Sequence, residues 1–157
     1  MGAVIEGIFI AAKKAAKLEP VDRVRAVAGA GLEGDRYGVR AGTFSAKDGV
    51  RPKPGRQLTL IEAEALERLA REHGIALAPG ESRRNVVTRG VDLNALVGKR
   101  FRIGAVECVG TERCDPCGHL EKLTRTGVKR GLTDAGGLRA DIVTGGEISV
   151  GDAIEPL

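Results

Sequence analysis

Two cysteines stand three residues apart in Arg113-Cys114-Asp115-Pro116-Cys117-Gly118-His119, the segment of this sequence richest in reactive side chains. Asp115-Pro116 is a helix-start signal: Asp is favoured at the N-cap and Pro at the first helical position. Cys117 is thereby expected at the second helical position. Its sulfur would lie near unpaired backbone N–H groups and the positive end of the helix dipole, which together favour a thiolate. Gly118 leaves room for a large ligand, and Leu120 and Leu123 would anchor the helix on the core.

Several chemistries suit this segment. Cys117 can serve as a reactive thiolate or as a ligand to a metal-bearing cofactor. Cys108, Cys114, Cys117 and His119 can make a structural zinc site, for which the Cys-x2-Cys spacing is compatible, although a second ligand pair at zinc-finger distance is missing. Cys114 and Cys117 can form a redox pair, although the βαβ pattern of a thioredoxin-like protein is absent. Buried packing is the plain alternative for any small thiol. Covalent haem is not expected, because Gly118 separates the second Cys from His119. His119 is expected to orient its helix, and His73, beside Gly74, to sit at a helix end.

Two further stretches suit an anion. Ser82-Arg83-Arg84-Asn85 precedes an expected strand; Arg83 and Arg84 offer planar forks for phosphate, and Asn85 can donate and accept. Asp35 and Arg36 lie in a Gly-rich loop, 29–38, whose backbone N–H groups can approach a ligand. Neither stretch is a P-loop, because no Gly-Lys-Ser/Thr follows. A charged surface loop and a turn with an Asp–Arg pair are the plainer readings.

The elements that must position these residues are mostly short strands. Strands are expected over 4–11, 21–27, 84–88, 99–103, 106–111, 139–143 and 147–150, from β-branched residues, alternation and flanking Gly turns. One helix is well signed: Thr59 and Glu62 make a capping-box spacing, and Ile61, Ala65, Leu66 and Leu69 follow at helical intervals before Gly74. Pro79-Gly80 reads as a turn and 93–97 as one helical turn. The region near Leu120 is expected to be helical, and the pattern over 127–137 is ambiguous, with no element assigned. The polar, Gly- and Pro-rich stretch 39–55 is expected to be a mobile loop over the surface, placed as a lid would be. Many short strands with one or two helices imply a mainly β fold, a β-barrel with a few helices.

The 157 residues fit one domain, 1–157, and 23 glycines suit strands and tight turns better than a helical bundle. A formal charge of +4 agrees with a small anionic ligand. Basic residues are not interleaved with aromatics, so no nucleic acid partner is expected. Nor is a membrane, since the apolar start is far below the ~20 residues of a span. With three cysteines and no signal peptide, the expected location is cytoplasmic.

In order, Gly31-Leu32-Glu33-Gly34-Asp35-Arg36, Leu58-Thr59-Leu60-Ile61-Glu62-Ala63-Glu64, Arg84-Asn85-Val86-Val87-Thr88-Arg89-Gly90-Val91-Asp92-Leu93, Val97-Gly98-Lys99-Arg100-Phe101-Arg102-Ile103-Gly104, Pro116-Cys117 and Gly145-Gly146-Glu147-Ile148-Ser149-Val150-Gly151-Asp152 together resemble a MOSC domain, the module named for the C-terminal part of molybdenum cofactor sulfurases. The chain looks like a small stand-alone member. The resemblance implies a β-barrel like that of pyruvate kinase, a molybdopterin-type molybdenum cofactor, and Cys117 as the key thiol. It implies either molybdenum ligation with reduction of N-hydroxylated compounds or sulfur carriage as a persulfide, so sulfurtransferase-like or reductase chemistry. A cysteine desulfurase or a reductase electron donor would then be the partner. Pyridoxal phosphate binding is associated only at family level. On this reading Arg83, Arg84 and Asn85 hold phosphate and pterin, Asp35 and Arg36 shape the wall, and Thr111, Arg113 and His119 reach the cofactor. Tyr37 stands where many members carry His, and Cys114 is an additional thiol that could resolve a persulfide, tune the site or bind zinc.

Overall fold

The computed structural model describes residues 2–13, 16–36, 55–115, 120, 124 and 127–157. Cys117, His119, Tyr37 and the expected loop 39–55, save Gly55, lie outside the described residues, as does most of the helix expected near Leu120.

The fold is mainly β. Eleven described strands run β1 Val4–Ile10, β2 Glu19–Val21, β3 Arg23–Val27, β4 Gly31–Leu32, β5 Leu58–Glu62, β6 Val86–Arg89, β7 Arg100–Ile103, β8 Val106–Arg113, β9 Leu138–Ile142, β10 Gly146–Ser149 and β11 Ile154–Pro156. Helix α1 spans Ala63–His73 and the short α2 Val128–Gly131, with 3-10 turns at Pro79–Ser82 and Leu93–Leu96. Eight strands form one curled sheet in the order β11-β7-β8-β9-β5-β6-β1-β2. The sheet returns on itself: Ile5 N–H donates to Asp152 O (3.0 Å) and Ile154 N–H to Ala3 O (3.0 Å), joining β1 to the start of β11. A small sheet, β10-β3-β4, covers one side. Among the described residues no helix is long and apolar enough to cross a membrane.

The barrel interior is aliphatic, with Phe101 its largest side chain. Leu58 and Leu60 of β5 point into it, whereas Ile61 and Val87 of the neighbouring β6 face outward under α1. This explains why Leu58, Thr59, Leu60 and Ile61 of β5 are buried in succession: β5 and β6 pair in parallel, and a parallel pair is covered on both faces. The helix sends Ala63, Ala65, Leu66 and Leu69 onto that outer face, and Leu120, Val128 and Leu132 complete the second cluster.

Two expectations need correction. The helix begins at Ala63, not after Thr59, because Thr59 is a residue of β5 and its hydroxyl bonds Asn85 instead of a helical N–H. Glu62 is the N-cap by position, but its carboxylate accepts from Leu93 N–H (3.0 Å), and burial pushes its pKa up. The expected strand 21–27 is two strands: the chain leaves the large sheet at Asp22, whose carbonyl accepts from Val150 N–H (2.9 Å), and enters the small one. Gly74 does end α1, in the left-handed region, with its N–H on Ala70 O and that of Ile75 on Leu69 O.

Candidate functional site

The stretch 82–85 connects the 3-10 turn to β6. Arg83 closes the turn with φ 62°, a left-handed conformation uncommon for a residue with a side chain. This bend points Arg83 and Arg84 to different surroundings. Arg83 Nη1 donates to Ala16 O (2.6 Å), in the connection between β1 and β2. Arg84 is buried; its Nε donates to Gly136 O (2.8 Å) and its Nη2 to Cys114 O (3.1 Å). Among the described residues no carboxylate pairs with Arg84.

The Gly-rich loop meets the same place from the other side. Asp35, fully buried, accepts from Ala11 N–H (2.9 Å) and from Arg36 Nη1 (3.1 Å) through Oδ1. Arg36 Nη2 then donates to Arg83 O (3.1 Å). A continuous run of hydrogen bonds and one peptide link therefore leads from Asp35 through Arg36, Arg83 and Arg84 to the carbonyl of Cys114. That carbonyl stands three residues before Cys117. The Cys114 amide is fixed as well, donating to Gly137 O (2.8 Å), and its side chain is buried.

Other expected site residues have different surroundings. Asn85 lies inside the sheet: its Oδ1 accepts from Thr59 N–H and Oγ1 (both 3.1 Å), and its Nδ2 donates to Phe9 O (3.1 Å). Thr111 donates its hydroxyl to Arg139 O (3.1 Å) on β9, and Arg113 is exposed and paired with Asp134 (3.3 Å). Cys108 packs in the barrel core, on β8. Six residues separate it from Cys114, roughly 20 Å at ~3.3 Å per strand residue. Two sulfurs on one zinc lie within ~4 Å of each other, given Zn–S bonds of ~2.3 Å. The four-ligand zinc site that included Cys108 is thus corrected: this thiol cannot join Cys114 on one ion. Among the described residues no three His, Cys, Asp or Glu converge for a metal.

Burial, with Glu107 and Asp141 adding negative charge, pushes the Cys108 thiol up to about 12. The thiolate fraction near neutral pH then falls about a thousandfold below that of an ordinary cysteine. Peptide mapping after iodoacetamide treatment at pH 8 is expected to find Cys108 unmodified in the folded protein and modified once urea unfolds it. Native-state labelling of Cys108 as fast as free cysteine would contradict its placement.

Sequence reasoning missed a cleft of about 580 Å³ beside this line, lined in part by Phe9, Lys17, Leu18, Pro79, Arg83 and Thr124. Its walls come from separated segments, so no local motif announces it. Thr124 borders it one residue beyond the 121–123 stretch, and Arg83 is shared with the hydrogen-bonded line.

The MOSC domain family model matches residues 47–155. No curated protein matches the chain. Among solved structures, the YuaD protein from Bacillus subtilis is similar over 99% of this chain and 96% of its own, with a TM-score of 0.82 and 20% identity. YiiM from Escherichia coli is similar over 100% of this chain and 70% of its own (TM-score 0.70, 19% identity). YiiM from Geobacillus stearothermophilus is similar over 99% and 75% (TM-score 0.70, 13% identity). At these identities the structures speak for the fold, and the family match speaks for descent: the chain belongs to the MOSC domain family.

Proposed function

We propose that the chain binds a molybdenum cofactor of the molybdopterin type, with Cys117 as metal ligand or as persulfide sulfur carrier. The observation that supports this most is Arg84. A buried guanidinium that meets only carbonyls among the described residues keeps a positive charge in a place where charge is costly. An anionic group arriving there would compensate it.

When bound, the cofactor would supply a metal centre able to exchange oxygen or sulfur. The protein's own part is positional. Arg84 and Gly137 hold the Cys114 peptide from both sides, which fixes the chain entering the Cys117 segment. Asp35 holds Arg36, and Arg36 holds the Arg83 carbonyl, so the two basic residues are oriented before any ligand arrives. In the carrier mode the Cys117 thiolate attacks the terminal sulfur of a donor persulfide, such as that of a cysteine desulfurase, and the donor thiolate leaves.

The test is metal and mass analysis of protein produced in cells that make the cofactor. Molybdenum with pterin fluorescence, both lost in Cys117→Ser, is expected for ligation. A gain of one sulfur on Cys117 after incubation with a desulfurase, reversed by reductant, is expected for carriage. One zinc per chain, lost in Cys114→Ser as well as Cys117→Ser, would overturn both.

A further inference from the structure

We propose that the 580 Å³ cleft is a site for an aromatic carboxylate, a flat apolar body with one anionic head. The volume lies within the range of small-ligand pockets. The body has walls to match: Phe9, Leu18, Pro20 and Pro79 are apolar, and Gly80 carries no side chain. A Cβ at Gly80 would stand 3.0 Å from the Phe9 ring and 3.4 Å from Leu18 O, so glycine there lets the turn close on Phe9 and Leu18 without a side chain projecting into the cleft wall.

The head has partners. Lys17 is exposed at the rim, and Arg83 is held by its left-handed backbone and its bond to Ala16 O. Glu81 also borders the cleft, but its Oε1 accepts from Ala78 N–H (2.9 Å) and is directed to the start of the 3-10 turn. The charged lining residues therefore sum to +1. Thr124, the neutral polar side chain of the lining, donates its hydroxyl to Leu120 O (2.7 Å). Among the described residues few groups remain to read the edges of a pterin, and the cleft suits a second molecule better than the cofactor heterocycle. Thr124 borders the cleft seven residues beyond Cys117 in the sequence, and Arg83 is the neighbour of Arg84, which holds the Cys114 carbonyl. The cleft's role as the substrate subsite rests on the cofactor reading given above; its affinity for an organic acid does not.

The probe is 2-naphthoate, with 2-naphthylmethanol as its neutral counterpart, titrated into the full chain by calorimetry and amide NMR. Saturable binding is expected, with the largest shifts at Phe9, Gly80 and Thr124, and with naphthoate at least about tenfold tighter than the alcohol. Lys17→Glu is expected to weaken naphthoate about tenfold and leave the alcohol unchanged, whereas Glu81→Gln strengthens naphthoate a few-fold. Gly80→Val should abolish both by forcing a branched side chain between the turn, Phe9 and Leu18 in the cleft wall. Cys117→Ser should bind naphthoate like the parent, so loss of molybdenum in that variant and failure of this site are read separately. Absence of saturable binding overturns the proposal. So does equal affinity for acid and alcohol together with indifference to Lys17→Glu, or a Gly80→Val protein that still binds.

Discussion

Asn85→Leu is expected to cost about 3–5 kcal/mol of stability, read as a lowered urea midpoint with an unchanged slope. The side chain is fully buried and joins three strands. Its oxygen satisfies the amide and hydroxyl of Thr59 on β5, and its Nδ2 satisfies Phe9 O on β1. The Asn85 backbone adds two more ties, accepting from Phe9 N–H (2.7 Å) and donating to Thr59 Oγ1 (3.0 Å). Leucine keeps the backbone ties but strands the Thr59 amide and Phe9 O, each worth ~1–3 kcal/mol when unpartnered, and weakens the hydroxyl. Thr59→Val made together with Asn85→Leu should recover about 1 kcal/mol of the sum of the single losses, because the hydroxyl no longer needs a partner. A variant within about 0.5 kcal/mol of the parent would show that Asn85 is not structural and is free to face a ligand.

Asn85 also marks what the sequence could not resolve. Its residue type and its place beside two arginines suit phosphate and pterin, yet the groups it meets are backbone and hydroxyl atoms 26 and 76 positions away in sequence. Donor and acceptor capacity is a local property; the partner is not. Thr59 and Glu62 teach the same lesson. Their spacing satisfies a capping box, but the oxygen of Thr59 is taken by Asn85 and that of Glu62 by Leu93, so the helix starts at Ala63 without a side-chain cap. Signals carried by covalent geometry transferred better. Gly74 ends α1 because the left-handed region is open to it, and glycines bounding β-branched runs located most strands within a residue or two. The barrel and the MOSC family were legible because their pieces recur in order along the chain. The cleft was not legible, since its floor and its cations meet only after β1, β2 and the 3-10 turn have folded together.

Arginine clustering shows a further division. Arg83 and Arg84 are neighbours of the same type, and local sequence assigns them one task. The left-handed φ of Arg83 separates them: one borders an open cleft, the other enters a nearly closed site against Cys114 and Gly136. The division joins stability to function. The charge that would recruit an anion is the same charge whose burial weakens the unliganded fold, a common arrangement at functional sites.

The backbone that receives Arg84 rests on Gly137, and Gly137→Ala is expected to lower stability by at least about 3 kcal/mol, a large share of the ~5–15 kcal/mol typical of a domain. Two effects combine. The residue has φ 114°, where L side chains are strained by roughly 1–3 kcal/mol. In addition, a Cβ at this position would stand 1.9 Å from Leu60 O, which is backbone of the central β5 and cannot rotate away. Relief requires β9 to move from β5, where Leu60 pairs with Leu138. Such a shift carries Gly137 O away from the Cys114 amide it accepts from, and Gly136 O away from Arg84. The buried Cys114 thiol should then react with a disulfide reagent at least about tenfold faster under native conditions, because local opening exposes it at lower cost. Gly74→Ala is the control: its φ is 65° but nothing lies within 4 Å of its Cβ, so only the conformational part, about 1 kcal/mol, is expected. Equal losses in the two variants, with unchanged Cys114 reactivity in both, would refute the close approach of β9 to β5 as the support on which Cys114 and Arg84 are held.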